Sequence, residues 1–343
     1  MTSTFNIRRH MLAAAAAAAA TLVLAGPALA QTPIVIKFSH VVANDTPKGK
    51  ASEFFAKRAG ELTNGKVKVE VYANSTLYKD KEEVEALQLG AVQMLAPSLA
   101  KFGPLGVKEF EVFDLPFIFD NYAELHKVTQ GPIGKQLLAK LDAKGIHGLA
   151  YWDNGFKSMS ANKPLKMPDD YKGLKMRIQS SKVLEAQMRA VNALPQTMAF
   201  SEVYQALQTG VVDGTENPHS NLYTQKFYEV QKNVTVSDHG YLGYAVVTNK
   251  KFWDGLPADV RGQLDQAMKE ATDYANKIAQ EENDQALEKV RQSGKTQVYV
   301  LTPPERLALK KAMAKVHKEM ESRIGRETIE AVYKETGYDP SKL

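Results

Sequence analysis

Arg177 and Asn217 are the two side chains whose type and position suit the capture of an anion. Arg177 lies in the short apolar run Leu174 to Ile178, ahead of the cap candidates Ser180 and Ser181, which places it where a strand turns into a helix. Asn217 follows Val-Val-Asp-Gly and precedes Pro218, again a strand-to-helix turn. Open α/β sheets bind their ligands at such strand ends. A guanidinium presents paired donors in one plane and an amide adds another, so the two could converge on one carboxylate. Taken alone, Arg177 reads equally as a surface or salt-bridged arginine.

Other chemistries find little footing. His10, His40, His126, His147, His219, His239 and His317 include no pair at helical metal spacing, and no His-Glu-x-x-His occurs. Gly131 to Gln136 lacks the spacing and the Ser/Thr of a phosphate loop, the glycines near Gly240 make no dinucleotide fingerprint, and no Gly-x-Ser-x-Gly elbow is present. The chain has no cysteine, which excludes disulfides, thiol catalysis and thiolate metals. No metal, cofactor or catalysed reaction is therefore expected. The net charge is +5, and +3 without residues 1–30; with no basic run interleaved with aromatics, nucleic acid is not an expected partner.

The elements that must position Arg177 and Asn217 follow from pattern. Arg8 and Arg9 precede an apolar run, Met11 to Ala25, and Ala28-Leu29-Ala30 offers a cleavage site, so residues 1–30 read as an export signal, with the ordinary secretory route ahead of a twin-arginine one. Ile34 to Phe38 is strand-like; Thr46 then caps a helix with Pro47 at its first position, running to Leu62 and holding Lys48 in its first turn. Lys66 to Ala73 alternates as a half-buried strand, Asp80 and Glu83 form an approximate capping box for a helix closed by Gly90, and Val92 to Ala96 is a third strand. This β-α-β-α-β order predicts a parallel sheet. Residues 97–121 read as a long irregular connection with exposed aromatics. Helices around 122–129 and 133–143, a strand over 146–152, a turn at Asn154-Gly155, helices over 182–192 and 201–209, a strand over 211–213 and β-like runs over 233–238 and 244–249 follow. Residues 257–291 form a helical pattern ~50 Å long, enough to span two domains. Thr302-Pro303-Pro304-Glu305 starts another helix. No internal repeat stands out.

Taken together, Gly-Leu-Lys-Met-Arg-Ile-Gln-Ser-Ser from Gly173 and Phe-Ser-Glu-Val-Tyr from Phe200, running on through Glu-Asn-Pro at Asn217, resemble the DctP-type substrate-binding proteins of tripartite ATP-independent periplasmic (TRAP) transporters. The resemblance extends to the segments from Phe38 to Gly49, Gly65 to Gly106 and Trp152 to Pro164, most of the mature chain, and implies that the last of these, rather than turning at Asn154-Gly155, crosses from the first domain into the second. It implies that Arg177 anchors a ligand carboxylate, that Asn217 and Phe200 join it, and that a second basic contact falls on Lys157, where sialic-acid-binding relatives carry arginine. Lysine lacks the planar fork, which weakens a sialate reading. By topology, His40, Lys48 and Ser98 face the same crevice from the first domain; Trp152 and Tyr241 wall the cleft or pack at the hinge.

The resulting expectation is an α/β, two-domain periplasmic binding protein fold with crossing hinge strands and a long domain-spanning helix. The first domain holds residues 31–153 and 243–282, the second 154–242 and 283–343. The function expected is capture of a C4-dicarboxylate such as malate, succinate or fumarate in the periplasm, by a monomer that delivers it to TRAP membrane permease subunits. The same arginine would also serve 2-oxo acids, sugar acids or aromatic acids, and a ligand sensor would use the same fold.

Overall fold

Thr46 shows how directly local chemistry sets the first helix. Its Oγ1 accepts from the Gly49 N–H at 3.1 Å and Pro47 follows, so the helix Pro47–Leu62 starts where an orphan N–H is capped and a missing one costs nothing. The computed structural model describes residues 32–343; the export signal read over residues 1–30 lies outside the described residues. Among the described residues, no helix is long and apolar enough to cross a membrane. Residues 35–343 form one compact unit.

Among the described residues, eleven strands build two sheets: β1 (Ile34–Ser39), β2 (Val67–Tyr72), β3 (Met94–Leu95), β4 (Ile146–Phe156), β5 (Ser158–Ala161), β6 (Lys175–Ile178), β7 (Leu194–Thr197), β8 (Gly214–Asn217), β9 (Asn233–Val236), β10 (Tyr241–Asn249) and β11 (Gln297–Val300). The first sheet runs β2-β1-β3-β10-β4 and the second β11-β9-β5-β8-β6-β7. β1 and β3 are parallel, as the alternating order requires, whereas β10 runs antiparallel to both β3 and β4. The chain passes from the first sheet to the second at Lys157, between β4 and β5, and returns between β9 and β10; the Lys157 N–H donates to the Gly240 carbonyl at 2.8 Å where the two passages meet. This is the two-domain α/β fold with paired crossing strands.

Asn154 and Gly155 lie inside β4, not in a turn. The β4–β10 register shifts between Leu242, paired with Gly155, and Gly243, paired with Asp153, so Asn154 is the extra residue. The Asn154 amide donates to the Tyr244 hydroxyl at 2.7 Å, and its Oδ1 accepts from Ser220 at 2.8 Å. A Cβ on Gly155 would come within 2.9 Å of the Asn283 amide, which explains the glycine.

Asn283 belongs to the long helix Ala258–Gln292. Ala267, Ala271, Ala275 and Ala279, four apart and fully buried, form a stripe of small side chains that lets the helix lie close to β4 and the helix Pro47–Leu62; further along it meets the second sheet's helix His219–Thr224 and β11. The helix thus bridges both lobes.

Two local expectations are corrected. Phe102, Phe110, Phe113, Phe117 and Phe119 in the connection 97–121 are buried rather than exposed, and Phe102, Phe110, Phe113 and Phe119 form a chain of tilted and stacked rings around the short 3₁₀ turns Leu99–Lys101 and Lys108–Asp114. The second lobe's strand begins at Gly214 rather than Val211, because Val211 and Val212 complete the turn that follows the helix Val203–Gln208.

Asn283 donates to the Asn154 carbonyl at 2.7 Å and accepts from the Ser220 N–H at 2.9 Å, joining helix, hinge strand and second lobe. Asn283→Ala leaves both backbone groups buried without partners, at about 1–3 kcal/mol each. We expect a loss of about 2–4 kcal/mol in guanidinium unfolding; a loss below about 0.5 kcal/mol would show that this joint is not structural.

Candidate functional site

The ends of β3, β6 and β8 open onto one cavity between the two sheets. Ser98 follows β3, Arg177 lies in β6 with Gln179 just beyond it, and Asn217 ends β8. Lys48 enters from the first turn of its helix, Phe200 from the start of the 3₁₀ turn Phe200–Glu202, and Leu242 and Tyr244 from β10. The lobes touch across it: Gln179 donates to the Ser98 hydroxyl at 2.8 Å.

Ser98 and Asn217 arrive there by matching routes. Ala86-Leu87-Gln88 and Ala206-Leu207-Gln208 each close a short helix, reach a glycine at φ +78° (Gly90) or +75° (Gly210), bury a valine (Val92, Val212) and enter the strand that ends at the cavity. Only glycine adopts that φ without strain, so the same turn is written into both lobes. The repeat is seven residues long, too brief to stand out before the two sheets are seen to use it alike.

Arg177 is 1 % exposed. Its Nε and one terminal nitrogen donate to the Met198 carbonyl at 3.1 and 2.8 Å, which fixes the plane of the fork, and its guanidinium carbon lies 5.7 Å from the Phe200 ring centre. The facing charge is Asp80, 3.7 Å from the same terminal nitrogen. Burial lowers the Arg177 pKa, with Asp80 opposing. A dry, oriented cation with one partial counter-charge is suited to a second anion.

Asp80 and Glu83, read from sequence as a helix cap, have a different place. The helix Glu83–Gln88 has Glu82 at its N-cap with no side-chain hydrogen bond, while Asp80 and Glu83 line the cavity at 3 % and 1 % exposure. Lys101 also lines it, paired with the Asp80 carboxylate and donating to the Asp80 carbonyl at 2.7 Å. Lys48 donates to the Ala96 carbonyl at 2.9 Å, with its ammonium 3.7 Å from the Tyr244 ring centre. Burial lowers the Lys48 pKa and raises that of Glu83 to about 7. Three basic and two acidic groups thus meet in one small space.

Residues 38–323 match the family of bacterial extracellular solute-binding proteins, family 7. The chain belongs to this family. It is 68 % identical over 325 residues to the C4-dicarboxylate-binding periplasmic protein DctP of Rhodobacter capsulatus, covering 95 % of this chain and 97 % of that one. A TRAP periplasmic solute-binding protein of Shewanella oneidensis with bound succinate superposes with a TM-score of 0.87 at 44 % identity, over 89 % of this chain and all of that one. A Pseudomonas aeruginosa counterpart with bound L-malate gives 0.82 at 45 % identity, over 84 % of this chain and all of that one.

In this family 7 protein, five of the positions picked from sequence line the cavity: Arg177, Asn217, Phe200, Ser98 and Lys48. Four do not. Lys157 is buried and pairs with Glu216 at 2.7 Å, directed into the second lobe. Trp152 is wholly buried, donating to Thr272 on the long helix at 2.9 Å and packed on Phe38. Tyr241 donates to Asp153 at 2.7 Å among Phe119 and Phe156. His40 is wholly buried and does not line the cavity, and burial with Lys48 nearby holds its pKa down to about 3. Asp80, Glu83, Lys101, Gln179, Asn221 and Tyr244 line the cavity as well, none of them singled out from sequence as a ligand contact. Only Gln179, two residues past Arg177 on the same strand face, carried a local signal. Among the described residues, no group of three or more His, Cys, Asp or Glu is placed to hold a metal.

The Lys157–Glu216 pair makes its own prediction. Burial pushes the Glu216 pKa up, but Lys157 and the His239 ring, 2.8 Å away, overcome it and hold the group at about 2, below the ordinary 4.5. The stabilisation is therefore present above 4.5 and lost as pH falls toward 2. Lys157→Ala strands a buried carboxylate, at about 3–5 kcal/mol near neutrality. Denaturant unfolding across this range should show the wild-type advantage shrinking with acid; a constant or negligible difference contradicts the pairing.

Proposed function

We propose that this protein captures a C4-dicarboxylate such as succinate, malate or fumarate in the periplasm and hands it to a TRAP membrane permease. The observation that carries the reading is Arg177: a buried, oriented guanidinium at a strand end, with Asn217 beside it and basic groups on the opposite lobe. One ligand carboxylate meets Arg177 and Asn217 from the second lobe, and the other is met by Lys48 and Lys101 from the first. A ligand with charge at both ends contacts both lobes only when they are together, so it stabilises the closed state by its differential affinity. A monocarboxylate satisfies one wall and leaves the other's cations unanswered. The names and bound ligands of the relatives support the same class of solute. The cavity offers anion-binding groups and cross-lobe contacts, and no acid–base pair is assigned a reaction; binding and release make up the whole cycle.

The test is titration calorimetry with succinate, malate and fumarate. Arg177→Ala removes one partner of a buried charged pair, typically ~3–5 kcal/mol, so affinity should fall on the order of 10²–10⁴-fold. Arg177→Lys should also bind much more weakly, because the ammonium cannot reproduce the planar fork. Circular dichroism and melting checks should show both variants folded. Binding by folded Arg177→Ala within a few-fold of wild type would remove Arg177 as the anchor.

A further inference from the structure

The cavity wall carries more acid than the capture of an anion calls for. Asp80 has clear duties, holding Lys101 and facing Arg177. Glu83 has none of that kind: it is 1 % exposed, it lines the cavity, and its Oε2 is buried with no hydrogen-bond partner. An ionised oxygen so placed is costly, whereas a carboxylic acid has an O–H to offer. The charges lead to the same conclusion. With Lys48, Lys101 and Arg177 all charged and both acids ionised, the wall stands at +1 and a dianion would overfill it by one charge; with Lys48 still charged and Glu83 protonated, wall and dianion balance.

We propose that Glu83 binds the ligand as a carboxylic acid, donating a hydrogen bond to a ligand carboxylate, so that dicarboxylate capture takes up one proton from solvent and release returns it. This rests on the dicarboxylate reading above. The step is a proton transfer alone: a buffer or solvent acid gives up a proton, an O–H bond forms on a Glu83 carboxylate oxygen and donates to a ligand oxygen, and the proton returns to solvent when the ligand leaves. Burial and Asp80 favour the protonated form; Lys48, from the helix Pro47–Leu62, and Lys101, from its 3₁₀ turn, oppose it and are outweighed. Tyr244, from β10, lies near enough for Glu83 to raise its pKa, and Arg177 stands beyond Asp80. An arriving anion adds a further negative charge and strengthens the protonated state. Lys48 is the competing proton acceptor, since the same anion also favours its ammonium.

The mature full-length protein should be titrated with succinate at about pH 8 in two buffers of different ionisation enthalpy, since linkage converts proton uptake into a buffer-dependent heat. Wild type should take up close to one proton per succinate, and affinity should fall by up to about tenfold per pH unit in alkali. Glu83→Gln should bind more weakly, by about tenfold, and take up none. Lys48→Arg, a cation that does not titrate, should keep the uptake. Absence of uptake in wild type, uptake persisting in Glu83→Gln, or uptake lost in Lys48→Arg would each overturn the proposal, while the dicarboxylate reading would stand. If wild type bound none of the three dicarboxylates, that reading would fall and this one with it.

Discussion

A guanidinium removed from water must have its charge answered, and Arg177 is answered only in part. Met198 supplies a carbonyl in hydrogen-bond contact, while the Asp80 carboxylate, at 3.7 Å, stands outside hydrogen-bond distance. The surrounding architecture preserves this incompleteness. β6 holds the arginine from below, Phe200 covers one side, and the opposing lobe brings its own charged groups close. A fully compensated arginine would have been a structural ion pair, which is what Lys157 became with Glu216. Both basic residues are buried, but Lys157 meets its carboxylate at 2.7 Å whereas Arg177 faces Asp80 at 3.7 Å on the cavity wall.

The two lobes reach the cavity by equivalent means. Each sends a helix, a left-handed glycine and a strand to it, and each strand leaves a polar side chain at its end, Ser98 on one side and Asn217 on the other. The lobes are kept in register by elements that belong to neither alone: the paired passages at Lys157 and Gly240, and the long helix with its alanine stripe and Asn283. Cation placement is then a matter of closure, because Lys48 and Lys101 stand on one lobe and Arg177 on the other.

Much of this was legible in the sequence where the signal was local. Thr46-Pro47 and Thr302-Pro303-Pro304-Glu305 set helix starts to the residue, the latter with a complete capping box, and the unbroken pattern after Pro257 gave a helix of 35 residues. Arg177 and Asn217 were placed by the strand-to-helix turns that follow them. What stayed hidden depends on partners far along the chain. Asp80-x-x-Glu83 has the spacing of a helix cap, and nothing local says that Lys101 and Arg177 will claim the aspartate instead. Lys157 follows an Asn-Gly pair, yet its counter-charge is 59 residues away. β7 contains Pro195 and sits at a sheet edge, where proline is tolerated, so its four residues gave no strand pattern. The phenylalanines of residues 97–121 looked exposed among glycines and prolines, but close packing of irregular chain needs bulky apolar side chains as much as a sheet does.

The most direct measurement of the central claim is a crystal structure of this protein with succinate bound. One carboxylate should lie within hydrogen-bond distance of the Arg177 guanidinium and the Asn217 amide, the other should face Lys48 and Glu83, and the Lys157–Glu216 pair should be undisturbed. Succinate seated away from Arg177, or bound by a Lys157 released from Glu216, would contradict the central claim.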